Sequence, residues 1–207
     1  SFAAAWLGLP IRAPYRLEDM AEDTVALLDA LGVERAHVVG ASLGGMIAQV
    51  VAAKHPERVL SLTSLMSSSG NRRYWFATPR AAHALMSRPA DPRDHESVVD
   101  HLVRVFEVIG SPGFPTDPEE RRRALDRAVR RAHDPAATVR QLLAIAASGD
   151  RRDLLARIAA PTLVIHGAED PLIRVGAGRD TARSIPGARL MVVEGMGHDL
   201  APGVRPI

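Results

Sequence analysis

The chain contains no cysteine among its 207 residues, which excludes disulfides, a cysteine nucleophile and thiolate metal sites. Aromatic residues make up only 4%. No apolar run approaches the roughly 18 residues of a membrane span. A glycine-rich phosphate loop is missing, and the histidines lack metal-ligand spacing. We therefore expect no membrane segment, no metal and no cofactor.

Charge of one sign is not in excess, because 26 basic residues face 24 acidic ones. Arginines cluster at 121–123 and 130–131 beside Glu119 and Glu120. A solvated helix face explains this cluster better than nucleic-acid binding, since no recognition motif accompanies it. Residues 1–14 lack the basic region and cleavage pattern of a signal peptide. We expect a cytoplasmic protein whose partner is a small molecule and not nucleic acid or membrane.

The most informative motif lies at residues 36–46, where an apolar strand pattern runs into Gly-x-Ser-x-Gly and an apolar helical run follows. This order is typical of a nucleophile elbow, a tight turn that pushes the hydroxyl of Ser42 outward. Gly40 and Gly44 are expected where a side chain would collide with a neighbouring element. The N–H of Leu43, at the new helix N-terminus, is expected to favour an oxyanion. The alternative interpretation of Ser42 is a helix N-cap.

A serine nucleophile needs a general base and a carboxylate that orients the base. In this arrangement the chain order is serine, acid, histidine. Asp170 follows an apolar strand pattern at 161–167, at the strand end where parallel sheets place their sites. Pro171 fixes a turn directly after Asp170, whereas Glu169 can point to solvent. A turn cap is the alternative role of Asp170.

Among eight histidines, only His198 has both the right order and the right kind of loop. It follows the strand pattern at 188–194 on a loop flanked by glycine. His166 lies inside the preceding strand pattern and is expected to be a packing residue. A structural role is the alternative for His198.

The quoted motifs together resemble the α/β-hydrolase superfamily, and are most similar to bacterial esterases of the aclacinomycin-methylesterase-like group. The resemblance is carried by residues 40–50, 55–59, 165–171 and 194–198. It implies a mostly parallel sheet with helices on both faces. It also implies that Ser42 is the nucleophile, Asp170 the acid and His198 the base.

The family sheet has eight strands, but this chain offers four candidates, at 36–40, 59–66, 162–166 and 188–194. The first four family strands would precede residue 15, and the last helix would follow residue 207. We therefore expect a chain that lacks the N-terminal strands and the C-terminal helix of the family. The second oxyanion donor, which the family takes from the loop after its third strand, is expected to be missing as well.

The segment 70–155 shows helical periodicity and no convincing strand pattern, and it begins after a flexible polar exit at 66–71. Asp117 and Pro118, followed by Glu120, form a helix start. By resemblance to the family, 70–155 is expected to be a helical cap on a core of 1–69 and 156–207. Aromatic residues of this segment could line the substrate pocket or only pack the cap: Tyr74, Trp75, Phe76, Phe106 and Phe114.

These observations predict a serine hydrolase that cleaves a small carboxylic ester through an acyl-serine intermediate. The same triad also serves amidases, C–C bond hydrolases and cofactor-free perhydrolases. The non-enzymatic alternatives are a non-catalytic binding protein with the hydrolase fold and an inactive fragment.

Overall fold

Four strands form one sheet in the computed structural model, which describes residues 11–204. In chain order they are β1 (Ala36–Ala41), β2 (Val59–Leu65), β3 (Thr162–Gly167) and β4 (Arg189–Val193). Their order in the sheet is the same, and β2 pairs in parallel with both β1 and β3. Each expected strand is found, with its ends within one residue of the prediction.

Eight α-helices lie within the described residues: α1 (Leu17–Ala30), α2 (Leu43–Lys54), α3 (Pro79–Met86), α4 (His95–Ile109), α5 (Pro118–Arg131), α6 (Pro135–Ser148), α7 (Arg152–Leu155) and α8 (Val175–Ser184). Short 3₁₀ turns span Pro56–Arg58, Arg72–Tyr74 and Pro202–Val204. No strand precedes β1 in the part of the chain that the structure describes. The rest of the expectation about earlier strands concerns residues before 11, and the expectation about the last helix concerns residues after 204. Both lie outside the described residues.

Aspartate side chains cap the first turns of α4 and α5. The carboxylate of Asp117 accepts a hydrogen bond from the N–H of Glu120 at 2.9 Å, as the sequence predicts. Asp94 caps α4 in the same way through the N–H of Ser97 at 2.7 Å. A helix from residue 92 would be predicted by periodicity alone, but the Asp94 cap delays its first turn to His95.

The described chain forms two compact units. Within the described residues, the first comprises 11–75, 136–166 and 175–192. Within it, α2 packs on α1, β1 and β2. Consecutive residues of α2 from Gly45 to Ala53 are buried except Ile47, because this helix is apolar on every side.

The second unit comprises the described residues 76–135, 167–174 and 193–204. It contains α3, α4 and α5 together with the loops that follow β3 and β4. A small apolar core of Ala81, Val105 and Ile109 holds it, with Phe106 and Leu172 packed against this core. The periodic apolar positions of α4 therefore face α3 and the loop after β3.

Residues 70–155 contain helices and no strand. Helix α7 and all of α6 except Pro135 belong to the first unit, whereas α3 to α5 belong to the second. The assignment of 70–155 as a cap stays a prediction. No helix among the described residues combines the length and the apolar character that crossing a bilayer requires.

Candidate active site

Ser42 sits in strained backbone geometry between β1 and α2. Its φ of 52° and ψ of −119° lie in a region that a residue with a side chain rarely adopts. Three hydrogen bonds hold it there. The N–H of Ser42 donates to the carbonyl of Leu65 at 2.9 Å, and its own carbonyl accepts from the N–H of Met46 at 3.2 Å. The hydroxyl of Ser67 donates to the same carbonyl at 2.8 Å.

Ser42 occupies the N-cap position of α2, but its hydroxyl makes no capping hydrogen bond to the helix. The structure therefore does not support a side-chain cap as the reason for this serine. Leu43 is the first residue of α2, where backbone N–H groups have no partner within the helix. The backbone places this donor directly after the candidate nucleophile.

The glycines of the elbow differ in whether the surrounding atoms leave space for a side chain. A Cβ added to Gly40 would lie 2.2 Å from the carbonyl oxygen of Gly44, and one added to Gly45 would lie 2.6 Å from Cβ of Ser67. A Cβ on Gly44 would meet no atom within 4 Å. The expectation that Gly44 avoids a collision is therefore wrong, because the crowded helix position is Gly45.

The loop after β2 contacts the elbow through Ser67, which donates to the carbonyl of Ser42. Ser67, Ser68 and Ser69 are buried, so the expectation of a flexible polar exit is wrong. Arg151 donates to the carbonyl of Ser68 at 2.6 Å, and Asp180 accepts from the hydroxyl of Ser69 at 2.6 Å. Burial lowers the pKa of Arg151 to about 10. Ser68 and Ser69 are therefore held by two charged residues, Arg151 and Asp180, that are distant from them in the sequence.

Asp170 and His198 form a buried pair in the second unit. Oδ2 of Asp170 lies 2.7 Å from Nδ1 of His198, and the two side chains are 0% and 7% exposed. Oδ1 of Asp170 accepts from the N–H groups of Leu172 and Ile173, each at 2.9 Å. The turn cap considered for Asp170 is therefore real, and it uses the oxygen that does not face the histidine.

This pair determines which nitrogen of His198 can act as a base. An ionised carboxylate can only accept, so Nδ1 of His198 carries the proton in the neutral ring. Nε2 then presents its lone pair. A histidine held in this tautomer can accept a proton at Nε2.

The loops after β3 and β4 are joined by close contacts. The N–H of Glu169 donates to the carbonyl of Met196 at 3.1 Å. The carboxylate of Glu169 accepts from the N–H of Gly195 at 2.6 Å. A Cβ on Gly167 would lie 2.2 Å from the Met196 carbonyl oxygen. Glu169 is exposed as expected, but it also tethers the loop that carries His198.

The five aromatic residues predicted for a pocket fall in different surroundings. Tyr74 packs against Gly176, and the indole N–H of Trp75 donates to the carbonyl of Gly70 at 2.9 Å. Phe76 is 62% exposed. Phe114 lies beside the glycines at 195 and 203. Phe106 lines a cavity of about 170 Å³. The pocket assignment of these residues stays a prediction.

One group of side chains in the second unit has the spacing of a metal site. The ligand atoms of His95, Glu96 and Asp126 lie within 4.8 Å of one another. Arg122 pairs with Glu96 and Arg130 pairs with Asp126. These guanidinium groups already neutralise the carboxylates that a cation would need, so the cluster fits an ion-pair network between α4 and α5.

Sequence comparison finds relatives over most of the chain. The family model described as the alpha/beta hydrolase fold matches residues 4–201. Rhodomycin D methylesterase DauP of Streptomyces sp. (strain C5) is 31% identical, over 90% of this chain and 68% of its own length. The 2-hydroxymuconate semialdehyde hydrolase of Pseudomonas putida is 29% identical, over 91% of this chain and 65% of its own length.

Structural comparison gives the same coverage. The structure of Est816, described as an N-acyl homoserine lactone degrading enzyme, superposes with a TM-score of 0.66 at 30% identity. The match covers 90% of this chain and 69% of that one. The chain thus spans about two thirds of the length of the proteins it matches.

Proposed function

Because the chain belongs to the α/β-hydrolase family, we propose that it is a serine hydrolase that cleaves a carboxylic ester through an acyl-serine intermediate. The fold predicted from the sequence is confirmed by the family match and the parallel sheet. The methylesterase relatives support a hydrolase acting on ester bonds. The observation that carries the mechanism is the strained backbone of Ser42 at the junction of β1 and α2.

In the proposed mechanism Ser42, His198 and Asp170 act together. The hydroxyl oxygen of Ser42 attacks the ester carbonyl carbon while Nε2 of His198 takes its proton. Asp170 keeps the imidazole in the required tautomer and stabilises the imidazolium that forms. The N–H of Leu43 donates to the oxyanion of the tetrahedral intermediate.

Collapse of that intermediate breaks the bond to the alcohol oxygen. His198 donates its proton to the departing alcohol, and an acyl group remains on Ser42. Water then attacks the acyl carbonyl as His198 removes its proton. The second tetrahedral intermediate collapses to release the carboxylic acid, and the proton returns to Ser42.

The proposed substrate is a small-molecule ester, and no cofactor takes part. A second candidate is hydrolysis of a carbon–carbon bond by the same three residues, which the similarity to the 2-hydroxymuconate semialdehyde hydrolase favours. Amide hydrolysis and peracid formation use the same groups. The cytoplasmic location stays a prediction.

A fluorophosphonate tests the nucleophile without knowledge of the substrate. This probe phosphonylates an activated serine and releases fluoride. We expect mass spectrometry to locate one adduct on the peptide that contains Ser42. The S42A and H198A variants should lose the adduct and the hydrolysis of a short activated ester, whereas S87A should keep both.

Two results would overturn the proposal. Full ester hydrolysis by S42A would show that another group attacks. An adduct on a different serine in the wild-type protein would have the same meaning. Turnover of a 2-hydroxy-6-oxo-dienoate in place of methyl esters and lactones, with the same dependence on Ser42, would favour the carbon–carbon candidate.

A further inference from the structure

One hydroxyl group binds the residues on both sides of His198. The hydroxyl of Ser111 donates to Oδ1 of Asp199 and accepts from the N–H of Gly197 at 2.9 Å. Ser111 is 6% exposed; its bond to Gly197 is buried, and its bond to Asp199 is half-buried. From this arrangement we propose that Ser111, with Asp199 as its partner, is a positioning residue for His198. The proposal rests on the proposed function, in which His198 is the base.

Backbone hydrogen bonds extend the contact to three consecutive residues. The N–H of His198 itself donates to the carbonyl of Ile109 at 2.7 Å. The N–H of Ser111 donates to Oδ1 of Asp199 at 3.0 Å. Residues 197, 198 and 199 are therefore each bonded to residues 109–111, at the C-terminal end of α4.

Two glycines allow this approach of one loop to the other. A Cβ on Gly197 would lie 2.3 Å from the carbonyl oxygen of Gly110. A Cβ on Gly110 would lie 2.6 Å from the carbonyl oxygen of Phe106 and 3.1 Å from Oδ2 of Asp199. The loops lie backbone against backbone, so the position of His198 follows that of the end of α4.

The end of α4 is in turn fixed by the core of the second unit. Ile109 belongs to that core, and Leu172 packs against it. The N–H of Leu172 donates to Oδ1 of Asp170. The same core therefore supports the turn that carries the acid and the helix end that holds the base. A misplacement of about 1 Å can cost about 100-fold in rate, so this shared support has a catalytic consequence.

Ser111→Ala removes the hydroxyl and leaves the N–H of Gly197 buried without its acceptor. We expect kcat for a short activated ester to fall roughly 10- to 100-fold with KM unchanged. The downfield proton resonance of the Nδ1–H of His198, in the wild-type hydrogen bond to Asp170, should shift or broaden. A purely structural serine would lower the melting temperature and leave this resonance in place.

Asp199 gives a second and graded test should S111A fold poorly. Asp199→Asn keeps an oxygen that can accept from both the N–H and the hydroxyl of Ser111, whereas Asp199→Ala removes it. We expect D199A to resemble S111A in kcat and in the resonance, and D199N to retain much more turnover. The matched control is Ser87→Ala, which removes a hydroxyl bonded to the Ala84 carbonyl in the same unit and should change neither readout.

The two readouts separate failure of this proposal from failure of the proposed function. Unchanged kcat and an unchanged resonance in folded S111A and D199A would overturn the positioning role. Equal losses in D199N and D199A would overturn the role of the Asp199 oxygen as acceptor. A changed resonance in a protein whose ester hydrolysis does not depend on Ser42 would uphold the positioning of His198 and overturn the proposed function.

Discussion

Asp170 divides its two carboxylate oxygens between structure and chemistry: Oδ2 lies 2.7 Å from Nδ1 of His198, and Oδ1 accepts the N–H groups of Leu172 and Ile173. This division means that an isosteric change at one oxygen can leave the turn intact. It therefore gives a direct test of the histidine tautomer.

Asp170→Asn should keep the turn and lose most of the turnover. Its amide oxygen can replace Oδ1, and its amide nitrogen then faces Nδ1 of His198 and donates to it. The imidazole proton is pushed to Nε2, which removes the base. We expect kcat for an activated ester to fall by roughly 10⁴, with a melting temperature close to that of the wild type.

Glu169→Gln is the matched control for that variant. Its amide oxygen can still accept the N–H of Gly195, and Glu169 does not contact His198 in any bond that the structure describes. Steady-state kinetics should show turnover close to the wild-type value. Equal losses in E169Q and D170N would mean that loop anchoring, and not the tautomer, explains the loss.

The elbow glycines should respond unequally to alanine. Gly44→Ala meets open space and replaces a helical glycine, so we expect the free energy of unfolding to stay equal or rise by up to about 1 kcal/mol. Gly40→Ala would place Cβ 2.2 Å from the Gly44 carbonyl oxygen, which the backbone cannot relieve locally. Urea unfolding should show a large loss for G40A. Similar midpoints for G40A and G44A would contradict this packing.

Much of the fold follows from short-range patterns. Apolar runs before residues 42 and 168 predict β1 and β3 because a parallel strand that is buried on both faces is apolar throughout. The burial that this pattern predicts is wrong for β1, in which only Gly40 is buried. Asp117 predicts the start of α5 because its carboxylate caps a helix three residues away. Such signals act within one turn or one strand and can be found by inspection.

Hydrogen bonds between residues far apart in the sequence cannot be predicted from such local patterns. Ser68 and Ser69 have the composition of a flexible loop, but they bond to residues 83 and 111 positions away. Ser111 and Asp199 are 88 positions apart. None of these pairs forms a motif, since a serine or aspartate in a loop has many local roles. The sequence therefore predicts candidate chemical groups for the site, but it does not predict the groups that hold them.

Asp126 should titrate at unusually low pH. Its hydrogen bonds with Arg130 and, secondarily, with His95 lower its pKa from 3.8 to about 2. A carboxyl group with a lower pKa in the folded state contributes stability above its unfolded pKa of 3.8. That contribution is lost as the pH falls towards about 2. Carbon-13 NMR of the side-chain carboxyl should follow this titration directly.

Arg130→Gln provides the comparison, because it removes the largest cause of the shift. In R130Q the midpoint of Asp126 should move up towards 3.8. An unchanged midpoint would show that the pair between Arg130 and Asp126 is not formed in solution.

Among the arginines of the first unit, we expect substitution of Arg151 to lower the free energy of unfolding the most. Arg151 is 3% exposed, and its two terminal nitrogens donate to the carbonyls of Gly149 and Ser68 at 3.0 and 2.6 Å. Lysine keeps the charge but has a single nitrogen and cannot reproduce this fork. Because one buried carbonyl then loses its charged donor, we expect Arg151→Lys to lower the free energy of unfolding by about 1.5–3 kcal/mol. Urea denaturation measures this loss.

Arg152→Lys is the control, since its guanidinium pairs with Asp150 at the surface, and it should leave the midpoint unchanged. Equal midpoints for R151K and R152K would show that the loop behind Ser42 does not depend on the buried fork.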